Sequence, residues 1–184
     1  MIQFILGGAR SGKSRFAEAQ VKQYWLNSLQ TSLSRNCIYI ATAEGLDQEM
    51  AARIAQHQSQ RKQGELVWRT VESPLALTAA IKTNSSASNI ILVDCLTLWL
   101  SNHLLQSPDD WQATKADFLE AISASSATIV LVSNEVGNGI VPMGEINRRF
   151  VDEAGWLHQD VAALADNVTL VTAGLPMSLK GRHV

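Results

Sequence analysis

Short apolar runs, rich in β-branched residues, punctuate the chain: IQFIL (2–6), CIYIAT (37–42), NIILVD (89–94), TIVLVS (128–133) and NVTLVTA (167–173). The runs are nearly continuous rather than alternating, which is the pattern of strands covered on both faces. Longer stretches with helical spacing separate them, over 13–29, 46–63, 74–83, 96–105, 110–124 and 145–165. This alternation predicts an α/β fold, a mostly parallel sheet with helices on both faces. The polar segment KTNSSASN (82–89) reads as a loop before the third strand, too short for a domain linker. With no internal repeat and no low-complexity tract, one domain over residues 1–184 is the simplest organisation.

Composition narrows the picture a little. The 184 residues are 46% hydrophobic and 17% charged, with mean hydropathy +0.02, as in an ordinary globular protein with a generous interior. A formal net charge of −2 gives no global field for nucleic acid or an anionic membrane, so an anionic ligand must be captured locally. Cys37 and Cys95 lack CxxC spacing and lie at the edges of apolar runs, which suggests buried reduced thiols and a reducing compartment. The apolar stretch at the N-terminus is too short for a signal peptide, and no run approaches the ~20 apolar residues of a spanning helix. The expectation is a soluble, cytoplasmic protein.

The first chemistry-bearing segment follows the first strand. Gly7-Gly8-Ala9-Arg10-Ser11-Gly12-Lys13-Ser14 fits G-x-x-x-x-G-K-[ST] in full, between a strand and a helix. Small residues let backbone N–H groups turn inward around a phosphate, and the helix N-terminus adds its positive end. Lys13 is suited to the β- and γ-phosphates, and the Ser14 hydroxyl to Mg²⁺. The pattern predicts binding of a nucleoside triphosphate. Asp94, after four apolar residues of the third run, is expected beside this loop, where a carboxylate orients the metal's water shell.

A second candidate lies in ARIAQHQSQR (52–61). At ~100° per residue, Leu46, Met50 and Ile54 form an apolar stripe, with Arg53, His57 and Arg61 as a ridge beside it. The two flanking guanidinium groups suit a polyphosphate and disfavour an imidazolium, so His57 is expected to stay neutral and nucleophilic near pH 7. A structural role for a single histidine at the border of a buried face is the competing interpretation. His103, His158 and His183 pair with no His, Cys or acid at metal-ligand spacing and read as structural or exposed.

Several segments together resemble the adenosylcobinamide kinase / adenosylcobinamide-phosphate guanylyltransferase family: FILGGARSGKSRFAE, YIATAEGLDQEMAARIAQH, WRTVESP, ILVDCLTLWLSNHL, LVSNEVGNGIVP and LVTAGLPMSLK. The resemblance spans nearly the whole chain, in order, and implies a RecA-like P-loop fold. It implies two reactions. ATP or GTP phosphorylates the aminopropanol hydroxyl of adenosylcobinamide, and GTP then transfers GMP to that phosphate. In the family a histidine after the second strand carries the GMP covalently, and the matching R-I-x-x-H here ends at His57. The family's nucleotide contacts carry over to Gly7 through Ser14, to Ala41, Thr42 and Ala43, to Gln58, Ser59, Gln60 and Arg61, and to Glu72 and Asp94. Lys13 would stabilise the leaving charge, Ser14 and Asp94 would hold Mg²⁺, and the assembly would be a homotrimer. The segment RKQGELVW is longer than in many relatives and lacks their proline, which bears on where Arg61 and Glu72 sit.

Two further segments carry weaker signals. Asn134 and Glu135 in SNEVGNGIVP stand at a strand's carboxyl end, where ligands bind in open α/β sheets, so a substrate or subunit contact is expected. The apolar CLTLWLSNHLL fits a core or interface helix better than a corrinoid surface. Two rival functions remain at this level. One is a small kinase without a covalent step; the other is a nucleotide-dependent binding module without turnover.

Overall fold

A computed structural model describes residues 1–30, 35–44, 55, 59, 61, 64–140 and 142–181. Its centre is a seven-stranded sheet of β1 (Ile2–Gly7), β2 (Asn36–Ala41), β3 (Trp68–Glu72), β4 (Asn89–Asp94), β5 (Thr128–Asn134), β6 (Asn167–Thr172) and β7 (Leu175–Lys180). The spatial order is β3-β2-β4-β5-β1-β6-β7. Six strands are mutually parallel, and β7 returns antiparallel to β6. The helices are α1 (Lys13–Gln30), α2 (Leu77–Thr83), α3 (Leu96–Gln106), α4 (Trp111–Ala124) and α5 (Glu145–Leu164).

The continuous apolar runs are explained by two cores, one on each face of the sheet. Phe4, Ile38, Ile40, Ile91, Val93, Ile129 and Leu131 point to one side, under α2 to α5. Ile5, Cys37, Tyr39, Ile90, Leu92, Val130 and Val132 point to the other, under Ala17, Val21 and Tyr24 of α1. Because successive side chains alternate between faces, a strand buried on both must be apolar at every position. The CLTLWLSNHLL helix is core as expected: Leu96, Trp99 and Leu100 are fully buried, and Trp99 packs edge-on against Trp111. Both cysteines are buried and reduced.

Five of the strands and five helices fall where the sequence pattern puts them, within a few residues at each end. Of the helix expected over 46–63, Ala55, Ser59 and Arg61 are helical; His57, Gln58, Gln60 and most of the remainder lie outside the described residues. Two strands were not expected from the pattern. Both are edges: β3 (WRTVE) is largely exposed, and all six residues of β7 (LPMSLK) are exposed. An edge strand needs no continuous apolar run and tolerates Pro176. Among the described residues, no helix is long and apolar enough to cross a membrane.

Candidate functional site

The glycine loop leaves β1 at Gly7 and enters α1 at Lys13, so it opens at the carboxyl end of the sheet. Arg10 (φ 56°) and Gly12 (φ 93°) take the left-handed conformation that turns successive amides toward a common centre. The loop is held mainly through its backbone. Glu135 N–H donates to Gly7 O at 3.0 Å, Ser11 N–H to Gly8 O at 3.3 Å, and Gly174 N–H to Ser11 O at 2.8 Å. Small residues are required by close approach. A Cβ on Gly7 would lie 2.6 Å from Val171 O and would also strike the Ser11 hydroxyl, and one on Gly12 would lie 3.3 Å from Gly174 Cα. Lys13 is buried, and its ammonium donates to Gly8 O at 3.1 Å, which keeps the cation folded over the loop. The buried Ser11 hydroxyl has no hydrogen-bond partner among the described residues.

The strand ends beside the loop present the remaining candidates. Glu72, Ala41 and Asp94 share one register level across β3, β2 and β4. Asp94 is not on the strand next to β1, however: β5 lies between them, ending in Asn134. Two strand spacings put the β4 end roughly 10 Å from the β1 end, room for a hydrated cation and phosphate oxygens rather than direct contact. Side chains hold this shelf in place. The Thr42 hydroxyl donates to Cys95 O at 2.7 Å and accepts from Cys95 N–H at 2.8 Å. Buried Asn102 donates to both Thr42 O (3.0 Å) and Pro74 O (3.1 Å), pinning the segments after β2 and β3. Asn134 donates to Thr97 Oγ1 at 2.9 Å, so its amide serves α3 rather than an open substrate surface. Burial pushes the Cys95 thiol up to about 11, so it stays a thiol.

Arg61, expected on the ridge beside the apolar stripe, packs inward. It is buried, with its guanidinium carbon 3.6 Å from the centre of the Tyr39 ring, and its Nη1 has no hydrogen-bond partner among the described residues. Tyr39 in turn donates its hydroxyl to Asp94 Oδ2 at 3.2 Å. Glu18 on α1 completes the group: burial raises its carboxyl above the usual range, Arg61 draws it back down, and Asp94 pushes it up. Arg61 and Glu72 border one pocket of about 550 Å³, walled by Leu66, Trp68 and Thr70. The candidate residues Gly7 to Ser14, Ala41 to Ala43, Glu72 and Asp94 thus collect at the carboxyl end of one sheet, with Arg61 joined to them through Tyr39. Two of the other histidines are structural: His103 Nε2 meets Leu75 O at 3.1 Å and His158 Nε2 meets Ser133 Oγ at 2.8 Å. His183 lies outside the described residues. Among those residues no group of three His, Cys, Asp or Glu side chains could hold a metal by itself.

Comparison with known proteins decides the family. The model described as cobinamide kinase / cobinamide phosphate guanyltransferase, CobU, matches residues 3–179. The chain belongs to that family. Membership makes it a bifunctional kinase and guanylyltransferase enzyme. CobU-family relatives align end to end with it. The bifunctional adenosylcobalamin biosynthesis protein CobP of Pseudomonas aeruginosa is 48% identical over 182 residues, covering 98% of each chain. The bifunctional adenosylcobalamin biosynthesis protein CobU of Escherichia coli is 38% identical over 194 residues, covering 98% of this chain and 100% of that one. A solved KaiC-like protein from Pyrococcus horikoshii superposes with TM-score 0.51 at 12% identity, over 92% of this chain and 69% of that one. That likeness gives the fold alone, a RecA-type P-loop core.

The site also contains residues that motif reading passes over. Tyr39 and Asn102 bind nothing on their own account, and both sit inside apolar segments as apparent core. Asn102 carried one signal, a lone amide in the otherwise apolar TLWLSNHLL. Tyr39, in CIYIAT, carried none.

Proposed function

We propose that this enzyme phosphorylates adenosylcobinamide with ATP or GTP and then transfers GMP from GTP to adenosylcobinamide phosphate through a guanylyl-His57 intermediate. The observation that carries the reading is the family match over residues 3–179 together with a glycine loop held by backbone bonds from Glu135 and Gly174. In the first reaction the aminopropanol hydroxyl attacks the γ-phosphorus, and the nucleoside diphosphate departs with the bridging electron pair. In the second, an imidazole nitrogen of His57 attacks the α-phosphorus, the bond to the β-phosphate bridge breaks, and pyrophosphate leaves. The phosphate oxygen of the corrinoid intermediate then displaces His57 from phosphorus, giving adenosylcobinamide-GDP and free imidazole. Splitting the transfer in two gives each displacement its own leaving group. The nest amides of residues 8–14 and the Lys13 ammonium take up the negative charge that develops on the departing phosphates.

The donor set near the loop, one hydroxyl (Ser14) and one carboxylate (Asp94), is hard oxygen and suits Mg²⁺ that keeps most of its water. Bound there, Mg²⁺ would neutralise phosphate oxygens. Ala41 to Ala43, Gln58 to Arg61 and Glu72 would contact the nucleoside. The same reading carries a cytoplasmic homotrimer, in keeping with exposed Leu175, Met177 and Leu179 on β7; sedimentation at assay concentration measures the assembly.

The direct test incubates the enzyme with GTP labelled at the α-phosphate and Mg²⁺. Acid-labile, base-stable label on protein is expected, released as adenosylcobinamide-GDP when adenosylcobinamide phosphate is added. Equal labelling of a His57→Ala variant would remove His57 from the mechanism.

A further inference from the structure

Tyr39 lies two residues before the predicted contact Ala41, yet it touches two parts of the site at once. Its ring carries the Arg61 guanidinium at 3.6 Å, and its hydroxyl holds Asp94 at 3.2 Å. Trp68 of β3 meets the ring edge-on, with centroids 6.0 Å apart, and so fixes its plane. Both Tyr39 and Arg61 are more than nine-tenths buried, so this stacking is shielded from water and stronger than at an exposed surface. Arg61 stands four residues beyond His57, one helical turn in spacing, and is itself helical.

We infer that Tyr39 is a positioning residue for the nucleotide site: its ring is the platform that fixes Arg61 against the Asp94 strand. The inference rests on the proposed nucleotide contact of Arg61 but makes a separate claim, that the aromatic face rather than the hydroxyl matters most. Among the described residues, the charged groups that act on the Tyr39 phenol are Asp94, Arg61 and Glu18. Burial and the negative charge of Asp94 push the Tyr39 phenol far above its usual range, so it stays a protonated donor at any working pH. A buried Arg61 without its ring would lose its only described partner for the cationic face.

The test compares Tyr39→Phe with Tyr39→Leu in guanylyl labelling and in GTP affinity, with thermal unfolding recorded for each. Tyr39→Phe keeps the platform and is expected within about threefold of wild type in single-turnover labelling by α-labelled GTP. Tyr39→Leu is expected to slow that labelling about tenfold or more, the size of a buried cation–π contact. If Tyr39→Leu melts below assay temperature, Tyr39→Met fills the volume without a π face and is expected to give the same loss. In an Arg61→Ala background the Tyr39→Leu change is expected to add little, as for a residue that acts through Arg61. Equal losses in Phe and Leu, or full additivity with Arg61→Ala, would each overturn the inference. If wild type takes no label, the covalent reading fails by itself, and GTP affinity decides the inference. Weaker binding in Leu than in Phe sustains it; identical affinities end it.

Discussion

The two halves of the nucleotide site are built by different means. Around Gly7 to Ser14 the contacts run mainly through backbone: Glu135 N–H to Gly7 O, Gly174 N–H to Ser11 O, and Gly7 itself, where a Cβ would meet Val171 O. Around the β2, β3 and β4 ends side chains are added to the backbone bonds: Thr42 to Cys95, Asn102 to Thr42 O and Pro74 O, Tyr39 to Asp94 and Arg61. A backbone-held site is sensitive to residue size, and at Gly7 and Gly12 it admits glycine alone without strain. A side-chain-held site depends on particular functional groups and survives changes of volume. The difference teaches why one half announces itself in sequence and the other does not.

Substitutions can break the comparison. Lys13→Ala removes the one side chain on which the backbone-held half depends. It is expected to cost both reactions on the order of 10²-fold or more in rate, with the melting temperature little changed. Retained kinase activity in initial-rate assays would mean the nest alone neutralises the phosphates. Gly7→Ala places a Cβ 2.6 Å from Val171 O, so the β1 end or β6 must shift. A destabilisation of about 1–3 kcal/mol in a denaturant titration is expected, with weaker nucleotide binding.

On the other half, Asn102→Leu keeps the volume but leaves Thr42 O and Pro74 O without their donor. About 1–3 kcal/mol should be lost, with a raised KM for GTP and normal loop geometry for phosphate. An unchanged KM would make the shelf purely structural. The smallest effect concerns His158, buried against Ser133. Burial lowers its pKa below the ordinary 6.5, against a weaker opposing pull from Glu135. A depressed imidazole binds its proton more readily when unfolded. Its contribution is therefore complete above pH 6.5 and lost as pH falls below that value toward the folded-state pKa. Melting curves at pH 7.5 and 5.5 should show a drop in wild type that His158→Gln lessens.

Much of this molecule can be read from its residues, for physical reasons that differ by element. The five inner strands are legible because burial on both faces demands apolar residues throughout, as in IILVD and IVLV. Strands β3 and β7 escape because edges are freed from that demand: Arg69, Thr70 and Glu72 are all exposed, and Pro176 argues against a strand at all. The glycine loop is legible because close approach selects residue type directly. Asp94 is legible as a strand-end acid, but its neighbour is not: only the pairing of β4 and β1 to opposite sides of β5 reveals the gap a hydrated cation would fill. Arg61 was readable as a cation near the nucleotide, yet its burial on Tyr39 arises from packing between distant segments, which helical spacing cannot express.

The tight turn of Ala173 and Gly174 between β6 and β7 has a bearing on folding order. It braces the phosphate loop near the opposite end of the sequence, through Gly174 against Gly12 and Ser11. A peptide excised around residues 1–30 would hold the whole recognition motif and still lack the wall that shapes it. Affinity for triphosphate should therefore emerge late in refolding, together with the slowest long-range pairing rather than with the first helix.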